Sequence, residues 1–96
     1  MKAIERLRRN YRAAFLRYLP RRDEAALAAG YQIGRSAAGE GLTILDITQV
    51  HHEILRDVLG TTDSEDIDGV TAAASDFLAE VLATYDMASR GYLENP

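Results

Sequence analysis

The apolar residues of this chain recur at intervals of three and four in four separate segments, and this helical period constrains the fold more than any other feature. The pattern predicts helices over residues 2–19, 24–40, 43–59 and 64–90, and no strand. The links between the segments are short, which favours consecutive helices that run antiparallel. We therefore predict an all-α, antiparallel four-helix bundle-like domain that spans residues 1–96.

Residues that start or stop helices lie at the boundaries of these segments. Pro20 is expected to end the first helix because proline lacks an amide donor and disfavours helical geometry in the residue before it. Asp23 is a capping residue for the second helix, and Gly41 is expected to break that helix. Thr43 and Asp46 have the spacing of a cap at the start of the third helix.

The same period predicts which side chains form the core. We expect the third helix to be the most buried one, because its apolar stripe is broad and its charged residues lie on the opposite side. The residues predicted to be in the core are Leu7, Tyr11, Phe15, Ile47, His51, Ile54, Phe77 and Val81.

A core of this size is thin, and this predicts a homodimer. A chain of 96 residues buries only about 60–65% of the surface that its unfolded form exposes, and it has no cysteine for a disulfide or a thiolate metal site. Small residues at positions 26, 30 and 37 share a face of the second helix over which another helix can approach closely. The predicted dimer contacts are Leu7, Tyr11, Tyr18, Ala26 and Gly30.

Charge is strongly segregated along the chain. Residues 1–22 carry eight basic side chains and one acidic side chain, whereas residues 23–96 have a net charge of −11. A basic first helix is compatible with nucleic-acid binding. We favour an alternative, in which this helix lies against acidic helices of its own fold or of a second copy, because no aromatic reader or DNA-binding motif accompanies the arginines.

The sequence has no recognisable catalytic, cofactor or metal-binding motif. His51 and His52 are adjacent, so on a helix they point about 100° apart and cannot converge on one metal ion. His51 lies in the apolar stripe, where a hydrogen-bonded core histidine is the simpler interpretation, and His52 is expected at the periphery. No apolar run approaches the length of a membrane span or matches a secretory signal. We therefore predict a cytoplasmic protein that is not an enzyme and binds no cofactor, metal, nucleic acid or membrane.

Three stretches resemble a known family. They are residues 11–18, the sequence VHHEIL at 50–55, and the sequence DFLAEV at 76–81 with its continuation to residue 88. In these stretches the chain resembles the N-terminal domain of RsbU-type phosphoserine phosphatases, which regulate the sigma-B stress response. The resemblance implies a four-helix module that dimerises and binds an activating switch protein of the serine-kinase type, which we call RsbT-like. It places the phosphatase activity in a separate C-terminal domain.

The resemblance also implies where the activator binds. It places the partner surface on the second helix and on the outer face of the fourth helix. The predicted partner-binding residues are Ala28, Gln32, Ala79, Leu82 and Ala83. Alanines at positions outside the best core repeat agree with a shallow apolar surface, although alanine also simply favours helix.

Two questions stay open from the sequence. The first is whether the chain binds an activator or is a purely structural dimerisation domain of a signalling protein. The second is whether it is one part of a longer phosphatase or a stand-alone relative.

Overall fold

The computed structural model describes residues 2–94, with side chains described for residues 2–91. Within this range the chain is helical and contains no strand, which confirms the all-α prediction. The helices are α1 (Ala3–Arg21), α2 (Glu24–Gly39), α3 (Ile44–Gly60) and α4 (Ile67–Glu94). A short 3-10 turn, Ser64–Asp66, precedes α4, so this helix begins three residues later than predicted and ends four residues later.

The expected effect of Pro20 was wrong, whereas the other boundary signals are confirmed. Pro20 lies inside the last turn of α1, where its missing amide removes only one helical hydrogen bond. The helix ends instead at Arg21, and the next residue, Arg22, adopts the left-handed conformation (φ 54°) and donates its amide to the carbonyl of Tyr18. A left-handed residue at this position satisfies a terminal carbonyl and turns the chain out of the helix.

The predicted caps form at the starts of α2 and α3. The Asp23 carboxylate accepts the amide of Ala26 at 2.8 Å. The Thr43 hydroxyl accepts the amide of Asp46 at 3.1 Å, and the Asp46 carboxylate accepts the amide of Thr43 at 2.9 Å. Both helices therefore begin with donors that are satisfied by a local side chain. Gly41, in the link between them, has φ 76°, a conformation that suits glycine.

An aromatic cluster forms the centre of the core. Phe77 lies with its ring centroid 5.2 Å from that of Tyr11, 5.7 Å from that of Phe15 and 5.6 Å from that of Tyr18. These edge-on and tilted contacts join α1 to α4. Seven of the eight predicted core residues are buried, and the eighth, His51, is half-buried.

The prediction that α3 is the most buried helix was wrong. Only Ile47, Val50 and Ile54 of α3 are buried, and at its start Ile44 and Leu45 are 51% and 76% exposed. The most extensive helix contact is instead between α2 and α4. A broad apolar stripe identifies a helix with much apolar surface, but it does not show that neighbouring helices cover the whole stripe.

Glycines of α2 allow its close approach to α4. A Cβ atom added at Gly34 would overlap the Thr84 hydroxyl and the Val81 carbonyl oxygen, and would lie 2.8 Å from the Tyr85 amide nitrogen. A Cβ at Gly30 would lie 3.3 Å from the Phe77 ring. The later glycine, Gly34, therefore meets later residues of α4 than Gly30 does, so these two helices run in the same direction.

Candidate functional site

The predicted partner-binding residues are mostly at the surface. Ala28, Gln32, Ala79 and Ala83 are exposed, and Leu82 is half-buried. Their exposure leaves their side chains accessible to another molecule.

The structure does not bring the α2 and α4 members of this set together. Gln32 is two residues from both Gly30 and Gly34, which face α4, so at 100° per residue it points about 160° away from them. Ala79 is two residues after Phe77, which faces Gly30, and it points away from α2 by a similar angle. The predicted residues therefore lie on two outward faces of the α2–α4 pair.

The predicted dimer contacts lie in the core of the single chain. Leu7, Tyr11, Tyr18, Ala26 and Gly30 are all buried within it. Gly30, on the small-residue face of α2 that was predicted to receive a helix of a second copy, faces Phe77 and Val81 of α4 in the same chain. Helical period identifies an apolar face but not the molecule that covers it. These residues offer almost no surface to a second copy in this conformation, and dimerisation itself stays a prediction.

Arginines of α1 make ion pairs with carboxylates on other helices or at their ends. The pairs are Arg6 with Glu40 at 2.8 Å, Arg8 with Glu53 at 2.9 Å and Arg12 with Asp57 at 2.6 Å. The hydrogen bond and the charge of Glu53 raise the pKa of Arg8. These pairs confirm that the basic segment lies against acidic parts of its own fold. Arg12 lies four residues after Arg8, and its partner in α3 lies four residues after the partner of Arg8, so α1 and α3 run in the same direction.

His51 is hydrogen-bonded at the edge of the core. Its Nδ1 atom lies 2.7 Å from the hydroxyl oxygen of Tyr11, which is fully buried. Burial raises the pKa of Tyr11, so its hydroxyl stays protonated, and the tautomer of His51 sets which of the two groups donates. Burial lowers the pKa of His51, and the neighbouring His52 lowers it further. The imidazole is therefore held neutral as a link between α1 and α3, and His52 is exposed as predicted.

Three carboxylates gather before α4. One oxygen each from Asp63, Glu65 and Asp66 lies within 4.8 Å of the others, and all three residues are exposed. They lie just before a helix, where negative charge is favoured by the positive end of the helix dipole. Exposed acidic groups of this kind are common without a bound ion, and we assign no metal to them.

A cleft between α1 and α2 was missed by the sequence analysis. It has a volume of about 370 Å³ and a floor of buried apolar side chains from Leu7, Ala14, Ile33 and Ala37. Its rim includes Asn10, Ala13 and Arg17 of α1 and Ala29, Gln32 and Ser36 of α2. The available signal was the spacing of these rim residues, three and four apart on each helix, beside an apolar stripe. Of the predicted partner-binding residues, Gln32 lines this cleft.

The described residues include no helix that is both long and apolar enough to cross a membrane.

Comparison with known proteins gives one match. No curated protein and no solved structure matches the chain. The family model described as phosphoserine phosphatase RsbU, N-terminal domain, matches residues 9–88 and so covers most of the 96 residues. The matched range includes all three stretches on which the resemblance was based. The chain therefore belongs to the family of RsbU N-terminal domains.

Proposed function

We propose that this chain is a non-catalytic regulatory module that homodimerises and binds a switch-kinase-type, RsbT-like activator, and that it thereby controls a phosphatase in bacterial stress signalling. Family membership over residues 9–88 is the observation that carries the proposal, because this family is the regulatory region of a phosphatase and not its catalytic domain. We also propose that consecutive helices run antiparallel. The shared directions of α1 with α3 and of α2 with α4 support that arrangement.

We propose that the activator contacts the outward face of α4 around Ala79, Leu82 and Ala83. The exposure of both alanines supports this choice, since short side chains leave the helix surface open to another molecule. Met87, one turn after Ala83, is 61% exposed and adds apolar area to the same face. Ala28 and Gln32 on the other outward face provide a second contact. Because the two faces diverge, one activator would reach both most easily by bridging two copies in a homodimer.

Charge placed on the α4 face tests this surface. Ala79→Arg and Ala83→Arg should each weaken binding of a purified RsbT-like activator by about 1–3 kcal/mol, which is about 5–150-fold, because the added guanidinium must be desolvated. Titration calorimetry measures the affinity, and circular dichroism checks that the helices remain. Gln49→Arg adds the same charge to an exposed position of α3 and should bind as the parent does.

The results distinguish this proposal from a structural dimerisation domain. Parental affinity in both alanine variants would refute the α4 surface. A verified dimer that bound no activator would favour the purely structural alternative. Light scattering that gave the mass of one chain at micromolar concentration would refute the dimer.

A further inference from the structure

We propose that the cleft between α1 and α2 binds a small amphipathic anion, a molecule with an apolar body and one carboxylate group. Its volume of about 370 Å³ lies within the roughly 300–1,000 Å³ that is usual for small-molecule sites. Leu7, Ala14, Ile33 and Ala37 form a floor without charge. Burial of an apolar body against this floor and against the more accessible side chains of Ala13, Ala29 and Leu42 is the main source of affinity.

Arg17 supplies the charge for the anionic group. It lies on the rim of the cleft, is exposed, and makes no ion pair with any of the residues 2–91 whose side chains are described. Arg6, the other arginine on the rim, is already paired with Glu40. The two arginines are eleven residues apart on α1, which is about 16 Å along the helix axis. The cleft therefore has one neutralised end and one cationic end.

Polar groups of α2 on the rim of the cleft can orient a ligand. The side chains of Gln32 and Ser36 face the cleft from α2, and neither makes a hydrogen bond within the described part of the chain. An apolar floor with a few convergent polar groups is the usual design of a ligand pocket.

The shape of the cleft favours a small molecule over a protein helix. The ion pair between Arg6 and Glu40 spans α1 and the end of α2, and Leu42 lines the same end. A helix that followed the cleft along its length would have to break this ion pair or pass above it. A short ligand can occupy the part near Arg17 without disturbing the pair.

Octanoate is a suitable probe, with octylammonium as its matched cation. In ¹⁵N-edited spectra of the full chain, octanoate should cause saturable shifts at Asn10, Ala13 and Ser36, and octylammonium should bind at least about tenfold more weakly. Arg17→Glu should weaken octanoate binding by at least about tenfold. Ala13→Phe, at an exposed position, should abolish binding because it fills the cleft.

Arg56→Glu is the control for charge reversal, because this exposed arginine of α3 does not line the cleft. It should leave the affinity for octanoate unchanged. The proposal fails if octanoate gives no saturable shifts, if octylammonium binds equally well, or if the two charge reversals have equal effects. It also fails if a partner protein covers the cleft but octanoate does not bind there. The octanoate and octylammonium results do not depend on an activator, so the proposal can fail without affecting the regulatory function.

Discussion

Replacement of Gly34 by alanine tests the close packing of α2 on α4. The new methyl group would overlap the Thr84 hydroxyl and the Val81 carbonyl oxygen. The carbonyl belongs to the α4 backbone and cannot rotate away, so α2 must shift outward. That shift would loosen the contact that joins the two helices most extensively.

The expected destabilisation follows from two opposing effects. Alanine inside a helix is more favourable than glycine by about 0.5–1 kcal/mol. Overpacking of a close contact costs about 1–3 kcal/mol, and more where backbone must move. The clash is with backbone, so we expect the upper end of that range and a net loss of about 2 kcal/mol in the free energy of unfolding. For a domain of this size, this lowers Tm by at least about 8 °C.

Gly60→Ala provides the matched control. Gly60 is the last residue of α3, and a Cβ there would meet no atom within 4 Å. It should leave Tm unchanged or raise it slightly. Thermal unfolding followed by circular dichroism measures both variants, at one fixed protein concentration because self-association makes Tm depend on concentration. If Gly34→Ala unfolds at or above the parental Tm, the close approach of the two helices is wrong.

Three further predictions each concern a single side-chain contact. Because the pKa of His51 is lowered on folding, the unfolded chain binds more protons, so the free energy of unfolding should fall as pH drops below about 6.5. In urea denaturation at several pH values, His51→Gln should reduce this pH dependence, and an unchanged pH dependence would contradict the role of His51. Thr43→Ala removes one half of the capping box and should lower the free energy of unfolding, measured by urea denaturation, by about 1 kcal/mol. An unchanged free energy of unfolding would show that the cap does not stabilise the domain. A double-mutant cycle on Arg12 and Asp57 should give a coupling energy of about 0.2–1 kcal/mol that decreases at about 1 M salt. A coupling energy that salt does not change would refute a surface ion pair.

Local interactions made much of the secondary structure predictable. The helical period of the apolar residues identified all four helices, and the caps at Asp23 and Thr43 formed as expected. Both caps are bonds between residues three apart in the chain, so neighbouring residues suffice to specify them. Pro20 shows the limit of such reasoning. Its effect depends on how much helix remains after it, and the left-handed Arg22 decides where α1 ends.

The core residues were predictable for a related reason, and the surface residues were not. Tyr11 and Phe77 belong to apolar stripes, and burial of large apolar side chains is the main stabilising contribution to folding. The stripe shows that a face must be covered. It carries no information about whether a helix of the same chain or of a second copy covers it. Tyr11 was predicted as a dimer contact, whereas in the single chain its side chain is covered by helices of the same chain.

Family membership was recognisable from the sequence by itself, since three short stretches pointed to the family that the comparison then matched over residues 9–88. The identities of the helix partners required the tertiary structure. A glycine inside a helix, such as Gly34, is unfavourable by its intrinsic propensity, and only the path of α4 shows that a side chain there has no room. The cleft with Arg17 on its rim likewise needs both helices in place. Helices and their apolar faces are set by residues close together in the chain, whereas the surfaces that meet other molecules arise from residues that only folding brings together.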